Sequence, residues 1–159
     1  SKIAQDYLGL QYHLSNGVRA IRMRPFNHIG PRQRRGFVAP DFASQVAEIE
    51  AGVREPVMLV GQLDVARDFS DARDIVRGYA LAALHGEPGE VYNIGACEAR
   101  TVRELLEALL RNARVAIEVR QDPQRMRPVD VPVIVGDCSK LRRASSWRLR
   151  QSISSAALS

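Results

Sequence analysis

Arg24-Pro25-Phe26-Asn27-His28-Ile29-Gly30-Pro31 is the stretch whose reading decides the fold. It follows the apolar run from Val18 to Met23, which reads as a buried parallel strand. Its two prolines and Gly30 predict that regular structure stops there. In an open α/β sheet, ligands bind in the crevice beyond the carboxyl ends of the strands. Asn27 and His28 are therefore expected at such an edge, on backbone stiffened by Pro25 and Pro31. Taken alone, the stretch is equally a proline-rich loop with a capping asparagine.

Working outward, Ile3, Ala4, Tyr7, Leu8, Gln11 and Leu14 have the spacing of an amphipathic helix, which Asn16-Gly17 closes. After the opening stretch, Arg32, Arg34 and Arg35 crowd a loop that is either a solvated basic segment or a clamp on a phosphate or ribose. A helix is expected from about Asp41 to Ala51, with Phe42, Val46 and Ile49 on its buried face and Gly52 as its stop. Val57 to Val60 reads as a short buried strand. The segment from Arg67 to Asp74 is expected to open a helix capped by Ser70 or Asp71. That helix would bury Ile75, Val76, Tyr79, Ala80 and Ala83. Val91 to Gly95 is a further strand, and Thr101-Val102-Arg103-Glu104 is a capping box for a helix reaching about Asn112. Val115 to Val119 reads as a strand, Asp122 to Asp130 as a loop, and Val131 to Asp137 as an edge strand marked by Pro132. A short helix starts near Ser139, with Trp147 packed beneath it. The alternation predicts an α/β fold.

A chain of 159 residues, 45% hydrophobic and 26% charged, has the composition of one globular domain. No apolar run approaches the roughly 20 residues of a membrane span. Cys97 and Cys138 have no metal-ligand spacing and are too few for a disulfide framework, so a reducing cytoplasm is the expected setting. The net charge of +5 raises the possibility of nucleic acid. The detail argues against it. Lys2 and Lys140 are the only lysines among 23 basic residues, and the arginines alternate with acids rather than with aromatics. Arginine suits bidentate phosphate contacts, which keeps small anionic ligands open. The sequence has no G-x-G-x-x-G loop, no Walker A motif and no G-x-S-x-G elbow. Residue patterns alone stop at an anion-binding α/β fragment.

Five motifs in register carry a resemblance. They are Ser1-Lys2; Arg24 to Pro31; Gly61-Gln-Leu-Asp-Val-Ala-Arg-Asp-Phe69 with Asp71 and Asp74; Tyr92-Asn-Ile-Gly95; and Asp122-Pro through Arg127-Pro-Val-Asp-Val-Pro132 to Gly136-Asp-Cys-Ser-Lys140. Over about residues 1–147 the chain resembles the carboxyl half of the extended short-chain dehydrogenase/reductases. Within them it is most similar to the GDP-mannose 4,6-dehydratase and GDP-4-keto-6-deoxy-mannose reductase group. The resemblance implies the end of a Rossmann-type NAD(P)-binding domain over about residues 1–30. It implies a small substrate-binding α/β domain over about 31–147, and a frayed tail over 148–159. The first residue is not methionine, and the resemblance implies a cut inside a longer protein, with the glycine loop and the catalytic tyrosine upstream.

What the resemblance implies for single residues follows position by position. Lys2 matches the lysine of the Tyr-x-x-x-Lys pair, both catalytic and bound to the nicotinamide ribose. The pairing makes chemical sense, because an ammonium beside a phenol favours the phenolate and so lowers its pKa. Pro25, Phe26 and Asn27 would line the site of NAD or NADP. Asn27 would also touch the sugar nucleotide, with Arg67 and Arg127 on its phosphates, Asp130 on a ribose and Arg32 as a weaker candidate. Leu63 would lie near the base, and His28 is assigned a structural role. No metal is expected. Arg127-Pro-Val-Asp-Val-Pro and Asn27-His-Ile-Gly-Pro are more similar to the reductase than to the dehydratase, whereas Ser145-Ser-Trp-Arg-Leu149 departs from the group's pattern. The implied activity is hydride transfer at C4 of a GDP-sugar by a cytoplasmic homodimer, with the 159-residue chain alone inactive. The alternatives are another nucleotide-sugar epimerase or dehydratase, and a non-catalytic basic module that binds nucleic acid.

Overall fold

The computed structural model describes residues 1–126 and 130–151. Helix α1 (Lys2–Asn16) opens the chain and ends, as its Asn-Gly signal predicts, with Gly17 at φ 67°. It buries no residue of its own: Ile3, Tyr7, Leu8 and Leu14 are all exposed. Asp6 ties it to the next strand by accepting from Arg24, and this ion pair holds the carboxyl below its ordinary range.

The opening stretch is more regular than its prolines suggest. Strand β1 (Arg22–Pro25) pairs in parallel with β5 (Val91–Ile94), placing Pro25 at its last position. Phe26 donates its N–H to Ile94 at 2.9 Å, and the chain then crosses into β2 (Asn27–Ile29). That strand runs parallel to β4 (Ala66–Asp71), so Asn27 and His28 lie on a strand rather than in a loop. A proline at a strand end removes a donor only where the ladder is already finished, and for that reason regular pairing resumes one residue later.

Helix α2 (Val38–Glu50) begins three residues earlier than expected, since Pro40 falls in its first turn, where the N–H has no intrahelical partner in any case. Strand β3 (Val57–Val60) pairs in parallel with β7 (Glu118–Gln121), which sits three residues later than its predicted start. Residues 67–70, expected at the start of a helix, belong to β4. All six residues of β4 are buried, between β2 along one half and β6 (Ala99–Thr101) and β8 (Val133–Ile134) along the other. A strand covered on every side loses the alternation by which strands are recognised. Helix α3 (Ala72–His85) starts only after it, with the Asp71 carboxylate accepting from Arg73 N at 2.7 Å. Helix α4 (Val102–Leu110) carries the predicted capping box, both of its bonds made. A 3₁₀ turn (Pro123–Arg125) and helix α5 (Ser139–Ser145) complete the described elements.

Two hydrophobic clusters result. One packs α2 and α4 around β3 and β4 through Phe42, Met58, Phe69, Leu105 and Leu109. The other packs α3 and α5 around β1 and β5 through Ile75, Tyr92, Ile94, Leu141 and Trp147. Each fully buried large side chain contributes roughly 1.5–3 kcal/mol. The buried face of α3 is Asp74, Ile75, Gly78 and Ala82, while Val76 and Tyr79, expected inside, are exposed. The face is turned because Ile94 and Trp147 press against α3 at Gly78, the position with no side chain. Trp147 donates its indole N–H to Asp74 O at 3.0 Å.

Cys97 and Cys138 are joined in a disulfide, against the expectation that they stay apart. Partners 41 residues apart have no local signature. Among the described residues no helix is long and apolar enough to cross a membrane.

Candidate active site

The step from β1 to β2 lays Pro25 to Ile29 along one wall of a cleft of about 680 Å³. Other wall segments include the first turn of α1 with Lys2, the start of α2 with Asp41 and Phe42, the exit of β3 with Gly61 and Gln62, Arg67 with Asp130, and the 3₁₀ turn with Arg125. Lys2, Pro25, Phe26, Asn27, Arg67 and Asp130 therefore share one cavity although they span most of the chain. Arg32 instead lines a neighbouring cavity of about 300 Å³, which shares Gln33 with the larger one. Leu63 is not on the cleft wall. It is buried in the cluster around β3 and β4 together with Val65, while Gln62 beside it lines the cleft. Arg127 lies outside the described residues.

Arg67 pairs with neither of its acidic neighbours in sequence, Asp68 and Asp71. Its guanidinium donates to the carbonyls of Ala66 at 2.7 Å and Val131 at 2.8 Å, and forms an ion pair with Asp130. Asp71 is taken by Arg73, which holds its carboxyl below the usual range. Asp68 turns away from the cleft and accepts three backbone N–H groups, from Ala96 at 2.6 Å, Cys97 at 3.0 Å and Gly136 at 3.1 Å. Burial pushes its pKa up, against the pull of those three donors. Arg67 thus enters the cleft as half of a buried pair. An anion arriving there has to compete with the Asp130 carboxylate.

Arg125 supplies a cation that sequence reasoning missed. It stands on the 3₁₀ turn and donates to Asp41 at 2.8 Å. Asp41 also accepts from Gln45, whose buried amide bonds both the N–H and the carbonyl of Leu59. This chain fixes Arg125 to α2 and β3 at once. The turn can approach β3 so closely because residue 61 is glycine: a Cβ there would lie 2.4 Å from the Arg125 carbonyl oxygen. The available signal was Asp122-Pro123: the Asp122 carboxylate accepts from Gln124 N at 2.9 Å, an Asx turn that leaves the next residue, Arg125, against the end of β3. Counted together, Lys2, Arg67 and Arg125 face Asp41 and Asp130, so the wall carries more positive charge than negative.

Residues 1–157 match the family described as GDP-mannose 4,6 dehydratase. The chain is 38% identical over 148 residues to a GDP-6-deoxy-D-mannose reductase of Pseudomonas aeruginosa, covering 93% of this chain and 49% of that protein. It is 29% identical over 172 residues to a GDP-mannose 4,6-dehydratase of Sinorhizobium fredii, covering 96% and 48% respectively. The fold superposes on a solved structure of RMD from Pseudomonas aeruginosa complexed with NADPH, with a TM-score of 0.92 and 36% identity over 98% of this chain and 52% of that one. The chain spans about half the length of the curated relatives it matches. Sequence match and superposition agree with the α/β arrangement of parallel strands described above, and the chain belongs to the GDP-mannose 4,6 dehydratase family.

Proposed function

We propose that this chain is the substrate-binding half of an NAD(P)-dependent enzyme acting at C4 of a GDP-6-deoxy-hexose, and that the enzyme is a reductase. The observation that carries the reading is the convergence of Lys2, Asn27, Arg67, Arg125 and Asp130 on one cleft at the carboxyl end of β1. The higher identity to a reductase than to a dehydratase favours that choice. In this reading residues 1–30 end the nucleotide-binding half, 31–147 form the substrate half, and the protein is a cytoplasmic homodimer using the exposed apolar side chains of α1.

The donor set in the cleft fits a dinucleotide. An ammonium and a carboxamide, Lys2 and Asn27, are suited to the hydroxyls of a ribose, and the Phe26 backbone borders the same wall. A bound NAD(P)H would supply the hydride. The part of this chain is positional and electrostatic. Lys2 forms no ion pair among the described residues, so its charge is free to favour the phenolate of a tyrosine placed beside it. Arg125 offers its guanidinium to a diphosphate, as charge-assisted forked bonds favour. Arg127, two residues on in sequence, is assigned the same task. Nucleic acid does not fit the charge arrangement. Arg22 and Arg24 are bound to Asp6, Arg35 and Arg54 to Glu48, Arg103 to Asp64 and Arg120 to Glu118, so these cations are already paired with acids.

The test is made on the full-length protein. NADPH oxidation driven by GDP-4-keto-6-deoxy-mannose should fall by about 100-fold or more in Lys2→Met, with GDP affinity unchanged. Absence of turnover by the unaltered protein, or full activity in Lys2→Met, would overturn the assignment.

A further inference from the structure

The disulfide joins two segments 41 residues apart in the chain. Cys97 lies in the turn after β5, and Cys138 is the residue that precedes α5. Their exposure differs. Cys97 is half-buried, whereas Cys138 is 1% exposed. A carboxylate oxygen of Asp68 and both sulfurs lie within 4.8 Å of one another. Both carboxylate oxygens already accept amide hydrogens, so Asp68 is a satisfied neighbour of the pair and not a free metal ligand. The Gly95 carbonyl oxygen lies 3.5 Å from Cys97 Sγ and 3.4 Å from Cys138 Sγ. In the reduced state it stands ready to accept from either thiol. The surroundings therefore provide for two thiols as well as for the bond between them.

We propose that Cys97 and Cys138 form a reversible thiol–disulfide modification site whose co-substrates are low-molecular-weight disulfides and thiols. Only Cys97 is open to an encounter, so exchange begins there. The Cys97 thiolate attacks one sulfur of a small disulfide such as oxidised glutathione and releases one thiolate. The Cys138 thiolate then attacks the Cys97 sulfur of the mixed disulfide and releases the second. Two protein thiols are oxidised and one small disulfide is reduced to two small thiols, the two protons passing from the protein thiols to the released thiolates. Reduction runs the same path backwards, with a small thiolate attacking at Cys97.

What the bond controls follows from where Cys138 sits. The chain leaves the cleft at Asp130, which is held by Arg67, pairs briefly with β4 as β8, and reaches Cys138 just before α5. Closed, the pair pins that segment at its far end, with Arg142, Arg143, Arg148 and Arg150 following directly. Open, the segment is left to packing and to single bonds such as Gly136 N to Asp68 and Trp147 Nε1 to Asp74 O. The inference does not rest on the activity proposed above, and its test contains no sugar nucleotide.

The full-length protein is equilibrated in mixtures of reduced and oxidised glutathione, quenched in acid, alkylated with N-ethylmaleimide and mapped by peptide mass. Cys97 and Cys138 should lose their label together in a single two-electron transition. Trypsin should cleave after Arg142 and Arg143 several-fold more slowly in the oxidised protein, and the double variant Cys97→Ser/Cys138→Ser should lose that dependence. Labelling of both cysteines at every ratio would overturn the proposal. So would a glutathione retained on Cys97 with Cys138 still alkylated, or a pair that stays closed in excess dithiothreitol.

Discussion

Replacing Gly78 by alanine sets two effects of known size against each other. Within a helix, Gly→Ala ordinarily gains about 1 kcal/mol from backbone entropy and solvation. At Gly78 the new Cβ would lie 2.1 Å from Ile94 Cδ1 and 3.0 Å from Trp147 Nε1, where both neighbours are fully buried. Carbon atoms settle about 3.5–4 Å apart, so Ile94 or α3 has to move by more than 1 Å in a packed cluster. Overpacking of this kind costs about 1–3 kcal/mol. The bond from Trp147 to Asp74 is put at risk for about 1 kcal/mol more. The crowding outweighs the helix gain, and Gly78→Ala should destabilise by about 1–3 kcal/mol in urea unfolding. Ile94→Val removes the colliding atom and alone should cost about 1 kcal/mol. Combined, the two changes should cost at least about 1 kcal/mol less than their sum, a coupling readable in a double-mutant cycle. Strict additivity, or a stabilising Gly78→Ala, would refute the packing argument.

Thr101→Ala removes the acceptor for Glu104 N and half of the capping box, and should lower stability by about 1 kcal/mol in the same assay. Arg125→Ala should weaken GDP binding about tenfold by calorimetry, the loss of roughly one charge-assisted bond, without changing the urea midpoint by more than a surface ion pair does. The Asp71 carboxyl is lowered chiefly by its bond to Arg73, so the stability it provides is present above its unfolded pKa of about 4 and lost as pH falls through the lower folded value. Asp71→Asn should therefore flatten the fall of melting temperature below about pH 4. An unchanged acid slope would show that Arg73 leaves Asp71 unperturbed.

The elements legible in the sequence are those whose signals are local. Gly17 ends α1 because a left-handed residue is needed there, and Thr101 with Glu104 starts α4 through bonds within four residues. Strand β4 was misread for the opposite reason. Ala-Arg-Asp-Phe-Ser-Asp has no strand pattern, and its charges can be buried only because Val131, Asp130, Ala96 and Gly136 come from elsewhere to satisfy them. The face of α3 was rotated by a glycine whose role depends on Trp147, and the cysteine pair depends on a contact across the fold. Lys2, Asn27, Arg67 and Asp130 were singled out by resemblance, not by spacing, and the cleft gathers them. Arg125 escaped notice because the Asp41–Gln45–Leu59 chain that holds it has no pattern along the sequence.

Trp147 also bears on how the protein is made. The cluster around β3 and β4 draws its buried members from Ile29 to Leu109, so it can close while the chain is still being synthesised. The cluster around β1 and β5 needs Leu141 and Trp147 as well. At about 5–20 residues per second, the ribosome reaches Trp147 roughly 6–25 s after Met23. Met23 has no roof for that interval, and Tyr92 and Ile94 for roughly the last 3–11 s of it, with their apolar surface open to chaperones or to a neighbouring nascent chain. A stop codon shortly before Trp147 would make the exposure permanent while leaving the other core whole. Strand β1, made before every other strand of this cluster, is the last to be housed.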